Sequence, residues 1–498
     1  MINTENFGNI INGTEEMVGD ESIVKSPVDG SPIASVYFAD RDAVSKAIDS
    51  SYDSYYKVWS KFTLSERKKL LAKLADRIQE KSERYATLES LNTGKTLRQS
   101  MLMDIPLGIE HLRYFATETE FKMERQITHP EYPDSHGIVQ YVPMGVVGAI
   151  TPWNVPFLMA VWKAAPALLA GNTVVIKPSS FTPLTTIEMA RDAISVGFPP
   201  GVLNVVNGRG ETVGEELARN KKVRMLSFTG STYTGKRITE ITGIKKVTLE
   251  LGGKSPNIVF DDADLERAAL GVMFGIYLNS GQLCESGSRL LVQSSIKDKF
   301  LNLLKSKIEK MRPGNPMSME TDISAITTKN QRDKIEKMVN SGLKDGSVIF
   351  YQKSIDGSVP KGGLYFPPTI LDKVSEDMEV AKEEIFGPVL SVMEFDDEAD
   401  AIDKANMTDY GLAAGVWTQD SEKATRVASS IEAGTVWINE YHLLSAAAPR
   451  GGFKNSGVGR ELGLDGIMEF TQTRHLFVSH GSTDQDTVAY GLVLADLS

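Results

Sequence analysis

VVGAITPWNVPFLMAVWKAAPALLAGNTVVIK, residues 146–177, decides the fold class. Val146 to Ile150 is an unbroken apolar run of strand length, and Val155 to Leu169 is long enough for a helix. Gly171-Asn172 stops that helix, and Thr173 to Lys177 is rich in β-branched residues. Strand, helix and strand at this spacing predict a βαβ unit with a parallel sheet. The pattern continues outward with a helix after Thr182-Pro183, strands at Val202–Val206 and Val223–Phe228, and a helix opening at Gly230-Ser231. It resumes after Lys254 with a strand at Asn257–Phe260, a helix from Asp262 through Leu278, a strand at Arg289–Val292 and a helix to Met311. The fold class is therefore α/β, with two doubly wound parallel-sheet domains whose ligands lie at the carboxyl ends of the strands.

Upstream, Asn12-Gly13 and Asp29-Gly30 punctuate short apolar runs, as in a small β-rich start. Thr63 and Glu66 have capping-box spacing, with Leu70, Leu71, Leu74 and Ile78 as the apolar stripe behind them. Gln126 to Tyr141 is polar and able to run extended, as a hairpin would. Glu250-Leu251-Gly252-Gly253-Lys254 falls at the junction of the two sheets, where clefts form.

With 498 residues the chain exceeds what one core holds, and 41% apolar with 24% charged residues is ordinary for a globular protein. Sixty-five acidic against 54 basic residues argue against a nucleic-acid or anionic-membrane partner. Val155–Ala170 is interrupted by Lys163 and Pro166 and falls short of the ~20 apolar residues that cross a bilayer. Met1–Asp20 does not read as a secretory signal, and a single cysteine cannot form an internal disulfide, so a cytoplasmic site is expected.

That cysteine, Cys284 in NSGQLCESGSR, is there for packing or for chemistry. Gly281 permits close backbone approach, and Gln282 and Ser286 offer a polar setting that favours chemistry. Gly230-Ser231 at a helix start offers N–H groups to an anion. Gly208, Gly210 and Gly214 miss the G-x-G-x-x-G spacing, so the residues alone leave nucleotide binding open.

TPWNVP (151–156), KPS (177–179), SFTGST (227–232), ELGGKSP (250–256), GQLC (281–284), EEIFGPV (383–389) and GGFKNSGVGRE (451–461) occur in this order. Together they closely resemble the aldehyde dehydrogenase superfamily, over residues 10–478. The resemblance implies a hydrolytic NAD(P)-dependent oxidation of an aldehyde to a carboxylic acid, without a metal. Cys284 resembles the nucleophile, Asn154 the oxyanion donor and Glu250 the general base. Lys163 and Glu461 stand where relatives have a proton relay, and a structural ion pair is the competing reading. Lys177 resembles the adenosine-ribose ligand, Gly230 and Ser231 the pyrophosphate contact, Glu384 the nicotinamide-ribose clamp, with Phe386 and Trp153 beside it. Ser179, Gly210, Gly214, Phe228 and Leu251 are expected in the same crevice. Ser180 replaces a glutamate that many NAD-preferring members carry, which permits NADP.

The substrate funnel implied by the family comprises Val155, Met159, Trp162, Leu283, Leu444 and Arg450. Arg450 replaces a common aromatic residue. With His442 and Ser445 it suggests a polar mouth suited to a semialdehyde or sugar-derived aldehyde, unless its head turns to solvent while its stem packs. The other funnel residues are apolar, so the substrate class stays open. Glu285 is a further departure. Facing the sulfur it would raise the thiol pKa; alternation along an extended segment would point it away. Glu250 argues against a coenzyme A-acylating relative, and Asn154, Glu250 and Cys284 together argue against a non-enzymatic protein of this fold.

By the same resemblance, residues 1–124 with 144–252 are expected to bind cofactor, 253–464 to carry catalysis, and 125–143 with 465–498 to assemble a homodimer or homotetramer. The tail from Ser479 ends in an apolar stretch, Val488–Leu497, able to dock elsewhere.

Overall fold

The computed structural model describes residues 5–480 and 492–493. The decisive stretch folds as β1 (Val146–Ile150), α1 (Pro156–Ala170) and β2 (Thr173–Lys177). Pro156 opens α1, where its missing N–H costs nothing, and Gly171 closes it at φ +101°. All fifteen residues of α1 are buried, as an all-round apolar helix requires. The sheet continues with β3 (Leu203–Val205), β4 (Val223–Thr229) and β5 (Lys246–Glu250), and α2 (Thr232–Thr242) lies between the last two. The order is β5-β4-β1-β2-β3, all parallel, so the winding reverses between β1 and β4 and leaves a crevice there. Register brings the strand ends to one rim: Ile150 pairs with Lys177 and Phe228, and Thr229 with Glu250.

A second sheet contains β6 (Pro256–Val259), β7 (Arg289–Gln293), β8 (Thr369–Asp372), β9 (Val389–Phe395), β10 (Ala413–Trp417) and β11 (Thr435–Ile438). Its parallel order is β8-β9-β7-β6-β10-β11, with Val348–Gln352 antiparallel at the β8 edge. A third, antiparallel sheet joins Glu124–Thr128, Ser135–Pro143 and Thr471–Ser479. The hairpin expected at 126–141 is therefore there, and the capping box on Leu64–Glu80 forms with both hydrogen bonds.

Three expectations need correction. The helix after β6 is Leu265–Tyr277, capped by Asp264, whose carboxylate accepts the Arg267 N–H; Asp262 instead accepts from Thr418 Oγ1 at 2.7 and 2.8 Å. Residues 457–458 fall within the stretch expected to form the catalytic domain. They extend the first sheet, with Gly457 antiparallel to Glu250. The helix Gly463–Glu469 buries Ile467 in the core around α1, so the third sheet starts only at Thr471. Of the Val488–Leu497 tail, all but residues 492–493 lie outside the described residues.

Candidate active site

A cavity of about 660 Å³ runs from the amino end of α2, along the rim of the first sheet, to Cys284 and the 444–450 segment. Of the residues expected at the site, all line it except Lys163, which sits behind Glu461, and His442 and Ser445, which were expected at its mouth.

Cys284 is half-buried in a turn held by the Ser286 N–H to the Leu283 carbonyl. The approach to it is strained: Asn279, Ser280 and Gly281 all have φ between +50° and +70°. Such backbone costs of order 1 kcal/mol per non-glycine residue, so hydrogen bonds must hold it. Gln282 Nε2 donates to the Asn279 and Ala325 carbonyls, its Oε1 accepts the Thr327 N–H, and Ser280 Oγ donates to the Ser324 carbonyl. Two expectations change here. Gln282 is fully buried and spent on the loop rather than on the thiol, and Gly281 is needed because a Cβ would meet the Gly387 carbonyl at 2.1 Å, not because a ligand approaches.

Burial pushes the Cys284 thiol up to about 12; Arg450 opposes that, while Glu384 and Glu250 add to it. Glu285 lies in the turn rather than an extended segment, and its carboxylate engages His442 and Arg450. Arg450 is thus buried, not turned to solvent. Glu250, at the carboxyl end of β5, is held well above the carboxylate range by burial first and by the Glu461 charge second. Glu461 bonds Lys163 Nζ at 2.6 Å, and Lys163 also donates to Ser227 Oγ at 3.0 Å. Asn154 Nδ2 donates to the Gln282 carbonyl at 2.8 Å, which aims the amide at the cysteine loop and leaves its second N–H uncommitted among the described residues.

At the other end the groups suit a dinucleotide. Ser231 caps α2 and accepts the Thr234 N–H at 3.2 Å, so the positive end of that helix faces the cavity. Lys177 is buried, with its amine pushed down to about 8 by desolvation, and among the described residues it donates only to the neighbouring Pro178 carbonyl. Glu384 accepts the Gly253 N–H at 3.0 Å, and burial raises it to about 7. The 384–386 loop is clamped by helix Lys329–Lys344: Lys334 Nζ donates to the Glu384 carbonyl, and Gln331 Nε2 to those of Ile385 and Phe386. Trp153 and Phe386 meet edge to face at 5.2 Å. Sequence reasoning missed Lys334, Gln331 and Glu211, which also line this cavity and lie in none of the ordered motifs.

The sequence profile of the Aldehyde dehydrogenase family matches residues 16–476. A betaine aldehyde dehydrogenase from Bacillus subtilis is 43% identical, with 91% of this chain and 93% of that one covered. Aldehyde dehydrogenase 1A1 from Mesocricetus auratus is 41% identical, with 92% of each covered. Among solved structures, betaine aldehyde dehydrogenase from Staphylococcus aureus in complex with NAD+ superposes with a TM-score of 0.92 at 38% identity, covering 96% of this chain and 95% of that one.

Proposed function

The chain belongs to the aldehyde dehydrogenase family, and from that premise we propose how its residues divide the oxidation of an aldehyde to a free carboxylic acid. The observation that carries the reading is the convergence of Cys284, Asn154 and Glu250 on one cavity that also holds the amino end of α2. Lys177, Ser179, Gly230, Ser231 and Glu384 would hold NAD or NADP, which when bound supplies the hydride acceptor. Cys284 releases its proton to water in the cavity, and the thiolate attacks the carbonyl carbon, forming a C–S bond as the C=O π pair moves to oxygen to give a tetrahedral oxyanion. The free Asn154 N–H and the Cys284 backbone N–H are the donors for that oxyanion. After the hydride departs, a thioester remains on Cys284.

Glu250 then removes a proton from water, the hydroxide adds to the thioester, and the C–S bond breaks to release the acid. Its raised pKa fits a carboxylate that alternately takes and returns a proton. Glu461 and Lys163 lead inward from it as an ion pair that can accept that proton. Water is the acyl acceptor in this reading, because Glu250 lines the same cavity as Cys284 and is placed to deprotonate a water beside the thioester.

Ser180 removes a carboxylate that would repel a 2'-phosphate, so both cofactors are usable in this reading. The outer edge of Thr471–Ser479 is unpaired among the described residues, and Phe477 is 49% exposed on it. That edge supports a homodimer or homotetramer built by sheet extension. No helix among the described residues is long and apolar enough to cross a membrane, and together with the lone cysteine this favours the cytoplasm.

The deciding experiment measures reduced nicotinamide and acid product from a panel of aldehydes, with and without coenzyme A. Acid formed at the same rate in both supports the reading. An acyl-coenzyme A product, or no reduced cofactor from any aldehyde, overturns it.

A further inference from the structure

The wall of the cavity's substrate end holds Arg450 and Glu285, backed by His442; the three are 6, 6 and 2% exposed and rely on no cofactor. Arg450 contacts Glu285 Oε2, and His442 Nδ1 lies 2.8 Å from Glu285 Oε1. The other imidazole nitrogen, Nε2, lies 3.1 Å from the Gly275 carbonyl oxygen. A neutral imidazole has one N–H and one lone pair. Burial holds the imidazole down to about 4, so it is neutral, with its one N–H on Nε2 donating to the Gly275 carbonyl. The Nδ1 lone pair then faces Glu285 Oε1 at 2.8 Å, a contact that closes as a hydrogen bond only with a proton on that oxygen. That proton cancels the carboxylate charge, and the guanidinium charge of Arg450 is left over.

The trio is firmly built. His442 adopts φ +59°, an uncommon conformation for this residue, and Tyr441 Oη donates to the Glu285 carbonyl at 2.9 Å. Glu285 is the only ion-pair partner of Arg450 among the described residues, so the remaining guanidinium N–H groups are available to whatever enters. The guanidinium lies over the Trp162 ring, 5.7 Å from its centroid. Trp162 is itself held by its Nε1–H donating to His111 Nδ1 at 2.7 Å. The aromatic face that could receive a ligand cation is therefore already occupied by a cation of the protein. Nearby carboxylates do not reverse the sign: Glu461 is paired with Lys163, and Glu250 is held toward its neutral form.

We propose that the Arg450–Glu285–His442 trio makes this enzyme select aldehydes that carry a carboxylate and exclude those that carry an ammonium group, unlike the betaine aldehyde dehydrogenases it resembles. The proposal rests on the aldehyde-oxidising reading above. It adds that Arg450 donates charge-assisted hydrogen bonds to the far end of the substrate, while Val155, Leu158, Met159, Leu283 and Leu444 cover its apolar middle.

The test compares kcat/KM of the wild-type protein for succinic semialdehyde, butanal and betaine aldehyde. The expected order is succinic semialdehyde above butanal by roughly tenfold or more, the worth of one charge-assisted hydrogen bond, with betaine aldehyde lowest. Arg450→Met should bring succinic semialdehyde to the level of butanal and raise betaine aldehyde relative to it, while Arg450→Lys keeps the carboxylate preference. Should the variants fail to fold, inhibition of wild-type butanal oxidation decides, with succinate expected to compete at least tenfold better than glycine betaine. Butanal oxidation with a flat or inverted charge order overturns the trio's role and leaves the family reading standing. No oxidation of any of the three overturns the trio's role, and the aldehyde-oxidising reading falls with it only if the wider aldehyde panel also yields no reduced cofactor.

Discussion

The two ends of the cavity are made of different materials. The cofactor end is built largely from backbone: the amino end of α2, the Gly253 N–H on Glu384 and the rim where β1, β2, β4 and β5 finish together. The substrate end is built from side chains on separate segments, with Glu285, His442 and Arg450 meeting across more than 150 residues. Backbone recognition depends on strand ends and glycines and tolerates change elsewhere. Side-chain recognition depends on a few charges, each of which can be altered by one substitution. The groups proposed to carry catalysis lie between the two.

The largest effect is expected at that midpoint. Cys284→Ser should reduce turnover at least a thousandfold while leaving cofactor binding intact, as measured by nicotinamide reduction and by titration of bound cofactor. Retained turnover would mean that neither end of the cavity serves this sulfur. Glu250→Gln should separate the two halves of the reaction: a burst of about one equivalent of reduced cofactor per site, then a steady rate lower by roughly a hundredfold or more. A proportional loss of burst and steady rate would place Glu250 in thiol activation instead.

Thiol reactivity sharpens the contrast further. With the thiol near 12, the thiolate is about one part in ten thousand at pH 8 in the absence of ligands, and alkylation by iodoacetamide should climb tenfold per pH unit without a plateau below pH 10. Because Arg450 lowers this pKa, Arg450→Met should slow alkylation at every pH. A plateau near pH 8 would show that the substrate end already ionises the sulfur.

Lys163→Met leaves Glu461 buried without its cation and should destabilise the fold by about 3–5 kcal/mol, read from urea unfolding. Smallest of all, Ser180→Glu should shift preference from NADP toward NAD by roughly tenfold in kcat/KM, through repulsion of the 2'-phosphate at the backbone-built end. No shift would mean that Glu211, on the same cavity wall, already governs that choice.

Much of the architecture was legible in the chain because apolar periodicity is local. Val146–Ile150 and Thr173–Lys177 are strands over the residues expected, and Ser231 begins α2 as its hydroxyl predicts. Misreadings arose where local rules compete. Asp262 and Asp264 are both good caps, and only the contact with Thr418 takes Asp262 away. Gln282 looked like a polar neighbour for the thiol because nothing local reveals that Ala325 and Thr327 consume its amide.

From the linear order of residues alone follow the alternating layers and the single thiol, for which spacing and side-chain type suffice. The base and the oxyanion donor come from the resemblance of the ordered motifs to a family. The orientation of Arg450, the turn that directs Glu285 to it, and the proton held between Glu285 and His442 arise only on folding. They depend on distances between groups far apart in the chain and on removing those groups from water, and neither is encoded in any one segment.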